Sequence, residues 1–82
     1  ETSEQTATLG AGVALDRRTR MMYDERHVFI NGESFRASGR DARLMRQLAD
    51  TRRLGAAELQ ALSAPAQELL TDWRLAGWLQ DL

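Results

Sequence analysis

Residues 21–35 read Met21-Met22-Tyr23-Asp24-Glu25-Arg26-His27-Val28-Phe29-Ile30-Asn31-Gly32-Glu33-Ser34-Phe35. Two short strand-forming runs, Met21–Tyr23 and Val28–Ile30, flank the polar stretch Asp24-Glu25-Arg26. Asn31-Gly32 follows at once and is a strong hairpin signal, because both central residues of a type I′ turn need positive φ and Asn and Gly tolerate it best. Ser34–Ala37 can then run back along Val28–Ile30. Pairing Ile30 with Glu33 sets Val28 opposite Phe35 and puts the apolar side chains on one face. The spacing predicts a three-stranded antiparallel meander.

Downstream the pattern turns helical. Ser38 suits an N-cap, and Asp41, three residues on, suits both the capping geometry and the helix dipole. Leu44, Met45, Leu48 and Ala49 form one apolar stripe over Asp41–Arg53, with Leu54-Gly55 expected to end that helix. A short second helix is expected over Ala56–Leu62. Ser63 caps a third over Ala64–Ala76, where Pro65 fits the first turn and Leu69, Leu70 and Trp73 are apolar. Gly77 stops it, and Trp78–Leu82 reads as a closing strand that joins the sheet. The spacing of the second and third helices is that of a helix-turn-helix. The fold class is therefore α+β and winged-helix-like: an antiparallel β-meander, three helices and a short C-terminal strand.

Upstream, residues 1–12 are polar, small and glycine-containing, with Leu9 the one large apolar side chain. Residues 1–15 are expected to be a linker or the end of a preceding domain, and residues 16–82 the winged-helix-like domain. Val13-Ala14-Leu15 reads either as a short strand or as the tail of that preceding segment. Alternation of Val13, Leu15, Thr19 and Met21 permits continuous pairing from Val13 to Tyr23, as an exposed edge bearing Arg17 and Arg18.

Eighty-two residues make one domain with one core. Without cysteine there is no disulfide, thiolate nucleophile or Cys-ligated zinc. No apolar run approaches the ~20 residues that span a bilayer, so the expected setting is cytoplasmic, with no membrane partner. The chain starts at Glu1, as a piece of a longer protein would. The net charge of −1 hides an asymmetry. Ten of the eleven arginines fall in residues 16–53 against six acids, whereas residues 54–82 hold Arg74 against four acids. All the basic residues are arginine, which coding bias suffices to explain.

The block RRTRMMYDERHVFINGESFRASGRDARLMRQLADTRRL (17–54), followed by LLTDWRLAGWLQDL (69–82), resembles the C-terminal winged-helix region of bacterial cupin-type (JmjC-like) ribosomal oxygenases. The matching features are the Tyr-Asp hairpin, the Phe29–Glu33 turn, the Leu-rich helix after it and the terminal Gly77-Trp78-Leu79. This resemblance implies a parent that hydroxylates an arginine of a ribosomal protein with Fe(II) and 2-oxoglutarate. It covers only the accessory end of such an enzyme. Iron there is held by two histidines and a carboxylate, and this chain has one histidine, His27. No catalytic, metal or cofactor residue is expected in this chain. The remainder of the parent is the expected partner, with its ribosomal protein substrate.

His27, one imidazole without a cluster, reads as a half-exposed strand residue. Tyr23, Ser34 and Ser38 have no visible base to activate them. The candidate interaction surface is the arginine-rich stretch: Arg36, Arg40, Arg43, Arg46 and Arg53, with Arg52 beside them. Asp41 and Asp50 interrupt the stripe and are expected to pair with part of it. The alternative function is a nucleic-acid-binding winged helix-turn-helix. Against it, the reading helix would be Ala64–Ala76, which carries Glu68 and Asp72 against Arg74 alone. Trp73 is expected in the core, with Trp78 either buried or at an edge. Met21 and Met22 must point to opposite faces, leaving one outside the core for the rest of the parent to cover.

Overall fold

The computed structural model describes residues 11–82, so the expected linker over residues 1–10 lies outside the described residues. The elements in chain order are β1 (Val13–Leu15), β2 (Met21–Tyr23), β3 (His27–Ile30), β4 (Glu33–Arg36), α1 (Gly39–Thr51), β5 (Arg53–Leu54), α2 (Ala56–Ala61), α3 (Ala64–Leu75) and β6 (Leu79–Asp81). The α+β winged-helix-like architecture is the expected one.

The meander β2-β3-β4 has the register read from the sequence: Ile30 faces Glu33, Val28 faces Phe35, and Met21 faces Ile30. Asn31 (φ 49°) and Gly32 (φ 88°) both take positive φ, as a type I′ turn requires. The Asn31 side chain also accepts from the Arg20 amide at 3.0 Å, which binds the turn to the lead-in of β2. At the other turn, Asp24 Oδ1 accepts from the amides of Arg26 and His27, both at 2.8 Å. These donors hold the Asp24 carboxyl below its ordinary range, that of Arg26 most strongly.

The second sheet departs from expectation. It has the order β5-β1-β6, all antiparallel, and β6 pairs with β1 rather than with the meander. Residues 13–15, grouped on sequence with a linker, are its central strand. Pairing does not run on from Val13 to Tyr23, because a turn closed by Thr19 N–H to Asp16 O (2.9 Å) separates β1 from β2. That turn is gripped from two sides. The Trp78 carbonyl accepts from the Asp16 amide (2.9 Å) and the Thr19 hydroxyl (2.8 Å). The Arg52 guanidinium donates to the carbonyls of Asp16 (2.9 Å) and Thr19 (3.0 Å).

Helix ends also differ in detail. α1 stops at Thr51 and Arg52 itself takes the left-handed conformation (φ 66°), a role assigned on sequence to Gly55. The reason is that Arg52 is held at both ends: its amide donates to Leu48 O, its carbonyl accepts from the Leu15 amide, and its guanidinium grips the turn. Ser38 occupies the N-cap position of α1 without a side-chain cap bond. Asp41 instead accepts from the Ser63 amide (3.0 Å) and hydroxyl (2.6 Å), so one carboxylate joins the first turns of α1 and α3. Ser63 still caps α3, accepting from the Ala66 amide. α3 closes with Gly77 N–H to Arg74 O and Trp78 N–H to Trp73 O, the Schellman pattern.

The core lies between the three helices and the inner faces of both sheets. Ile30, Met45, Leu48 and Leu54 are its most enclosed large side chains. Trp73 is buried and packs against Phe35 at 5.5 Å between ring centroids, and Trp78 is half-buried at the margin. Met21 is buried and Met22 exposed, as strand alternation demands.

Gly12 shows how tightly the chain before β1 is fitted. Its φ is +108°, and a Cβ there would come 2.2 Å from Leu54 O and 2.8 Å from Gly55 Cα. Because both obstacles are backbone, Gly12→Ala is expected to cost more than about 2 kcal/mol, read as a lower urea midpoint. Asp16 gives a pH test. Its carboxyl is held below the ordinary range, chiefly by the Arg18 amide and further by Gln80 Nε2 at 2.8 Å. A depressed folded pKa stabilises the fold above the unfolded value, and that contribution is lost as pH falls through the lowered one. Asp16→Asn should therefore flatten the decline in Tm between about pH 5 and pH 2, while lowering Tm at neutral pH.

Candidate interaction surface

The arginines singled out on sequence do not form one stripe. Arg36 closes β4 opposite His27, and Arg40 and Arg43 lie exposed on α1. Arg46, half-buried, sits over the Tyr23 ring (5.9 Å to the centroid) and donates to Glu25 O at 3.3 Å. Arg53 is not on that face. The helix has already ended, and Arg53 pairs with Ala14 in the other sheet. Arg52 is committed to the Asp16–Thr19 turn.

The expected pairing of Asp41 and Asp50 with the arginines is absent. Asp41 is taken by Ser63. Asp50 accepts from the Tyr23 hydroxyl, with both carboxylate oxygens at 3.1 Å. Among the described residues, ion pairs within 4 Å join Arg18 to Asp16, His27 to Asp24 and Arg74 to Asp81. Arg36, Arg40, Arg43 and Arg46 are in none of them. The two carboxylates within that stretch, Asp41 and Asp50, are spent on joining elements.

Sequence reading missed Arg26. The Ala37 amide donates to Arg26 O at 3.1 Å, which fastens the β2–β3 turn beside the β4–α1 junction. With Arg46 and Ala42, Arg26 lines a shallow cleft between that turn and α1, next to Tyr23 and His27. The signal lay in the register, since extending the Ile30–Glu33 pairing outward sets residue 26 opposite residue 37.

The exposed side of α3 has the opposite character. Glu68, Thr71 and Asp72 face solvent there, and Arg74, the one arginine of the helix, bonds Asp81 at 3.2 Å. β6 and β1, which lie side by side after this helix, are joined through the whole intervening chain and not by a hairpin wing. Groups of His, Asp and Glu able to hold a metal are absent among the described residues, and no helix there is long and apolar enough to cross a membrane.

This arrangement of a meander, a helix-turn-helix pair and a closing strand has a counterpart among known families. The family model described as ROXA-like winged helix matches residues 3–80. The chain belongs to that family. No curated protein and no solved structure matches it. A ROXA-like winged-helix domain is not in itself a catalytic unit. His27, the sole imidazole of the sequence, lies 3.6 Å from Asp24 in the turn and 6.1 Å from the Phe29 ring.

The Tyr23–Asp50 contact can be tested directly. The hydrogen bond to Asp50, and then its negative charge, raise the Tyr23 phenol above its ordinary value. Tyr23 is the only tyrosine, so its ultraviolet pH titration is free of overlap. Asp50→Asn should move the midpoint down toward that of a free tyrosine.

Proposed function

We propose that this ROXA-like winged-helix domain is the non-catalytic accessory module of a cytoplasmic 2-oxoglutarate- and Fe(II)-dependent ribosomal protein hydroxylase. In this reading it packs on the rest of the enzyme and shapes the approach of the protein substrate. The carrying observation is the family match over residues 3–80 together with the resemblance of residues 17–54 and 69–82 to the ends of such enzymes. Iron and 2-oxoglutarate belong to the parent's catalytic domain. A facial triad needs two histidines, and this chain supplies one.

Arg36, Arg40 and Arg43, which have no ion-pair partner within 4 Å among the described residues, are with the neighbouring Arg46 the contact surface in this proposal. A ribosomal protein rich in basic side chains would be repelled by that face. An acidic surface of the parent suits it better, so the role in substrate recognition is indirect: the face sets the position of the domain, and the domain narrows the approach. Arg53 stands apart, in the other sheet opposite Ala14, and is not part of this surface.

The test is hydroxylation kinetics of the full-length parent. Deleting this domain, or introducing Arg40→Glu with Arg43→Glu, should raise KM for the protein substrate by about tenfold while kcat stays within about a factor of two. Hydroxylation by the 82-residue chain alone, or an unchanged KM after deletion, would overturn the proposal.

A further inference from the structure

The two faces of the meander are unequal. The inner face carries Met21, Val28, Ile30 and Phe35 onto the helices. By strand alternation the outer face carries Arg20 and Met22 from the β2 side, Phe29 and His27 from β3, and Ser34 and Arg36 from β4. Met22 is 67% exposed and stands directly across from the half-buried Phe29, whose ring meets that of His27 at 6.1 Å. An exposed methionine beside an aromatic ring is a soft, adaptable apolar seat.

Arginines frame two corners of that seat. Arg20 and Arg36 lie at diagonal corners and have no carboxylate within 4 Å among the described residues. Asp24, an acid at the rim, is engaged by two backbone amides and lies 3.6 Å from His27 Nδ1. Arg20 is level with Asn31 and Arg36 with His27, an offset of about four residues across two strand gaps. At strand spacings this is roughly 13 Å along and roughly 10 Å across, a diagonal that about five extended residues would span.

We infer that the outer face of the meander docks an extended acidic protein segment of the pattern acid-x-apolar-x-acid. Its apolar side chain seats on Met22 and Phe29, and its carboxylates meet Arg20 and Arg36. A second copy of this chain is a poorer occupant, because a two-fold contact through this face sets arginines toward arginines. Single-stranded RNA is poorer too: the rings of His27 and Phe29 are tilted 33° against each other, and the most exposed apolar group of the patch is a thioether, not a stacking ring. The inference shares with the proposed function the idea that the domain works by docking and the use of Arg36, and it does not need the parent to be an oxygenase.

The probe is the synthetic peptide acetyl-Ser-Glu-Ser-Leu-Ser-Glu-Ser-amide, titrated into the ¹⁵N-labelled 82-residue chain at low salt. Amide shifts are expected at Met22, His27, Phe29, Ser34 and Arg36 and not along α3. Replacing the peptide's leucine by serine should weaken binding by about fivefold, and replacing both glutamates by glutamine by about tenfold. Arg20→Glu with Arg36→Glu should abolish the shifts, and Met22→Ser should weaken binding as far as loss of the leucine does, with the urea midpoints of both variants confirming the fold. Four outcomes would overturn the inference: no shift on this face, equal binding by the leucine-free peptide, tighter binding of an oligouridine dodecamer to the same residues, or the same shifts appearing with protein concentration alone. Because no hydroxylation is measured, its failure would leave the oxygenase reading standing, and the converse holds.

Discussion

Everything else in this domain depends on how the short segment from Gly12 to Thr19 is held. Three residues of strand would be unstable alone, yet β1 has a partner on each edge: β5 from the end of α1 and β6 from the end of the chain. The turn that follows is fixed by the Arg52 guanidinium on one side and the Trp78 carbonyl on the other. Arg52 accepts a left-handed backbone to do this, a conformation that disfavours any residue but glycine or asparagine by roughly 1–2 kcal/mol. Its four hydrogen bonds to backbone groups offset that cost. Through this one clamp the end of α1, the end of α3 and the entry to the meander are placed relative to each other.

The same economy of contacts shapes the surface. Asp16, Asp24, Asp41 and Asp50 each accept hydrogen bonds that tie a turn or join two elements. Charge-assisted bonds of this kind are stronger than neutral ones. Among the described residues the arginines of β4 and α1 have no ion-pair partner within 4 Å. A basic surface thus arises in a chain whose net charge is −1, because charge balance in composition says nothing about which acids remain free to pair.

A helix-turn-helix invites comparison with nucleic-acid readers, but likeness of fold is not likeness of function. The helix that would enter a groove presents Glu68 and Asp72, and its one arginine is tied to Asp81. The basic and apolar groups are instead on the meander and on α1. These groups lie on a chain that belongs to the ROXA-like winged helix family.

Much of this was written in short-range chemistry. Asn31-Gly32 prescribes a type I′ turn, and the turn sets the register of β3 and β4 down to Val28 opposite Phe35. Ser63 with Pro65 marks the start of α3, and the spacing of Leu44, Met45 and Leu48 marks the buried stripe of α1. Such signals act within a few residues, so the sequence alone determined the meander, the three helices and the opposite facing of Met21 and Met22. It also left the arginine stretch visible as a charge excess. The tertiary structure alone decided the second sheet, the left-handed Arg52, the diversion of Asp41 and Asp50 from the arginines, and the separation of Arg53 from the other basic residues. Those outcomes rest on contacts between groups far apart in the chain, such as Gln80 with Asp16, 64 residues away. A strand of two or three residues carries no periodicity of its own, and a carboxylate's partner is set by which donors the fold brings within 3 Å, not by which arginine is nearest in sequence.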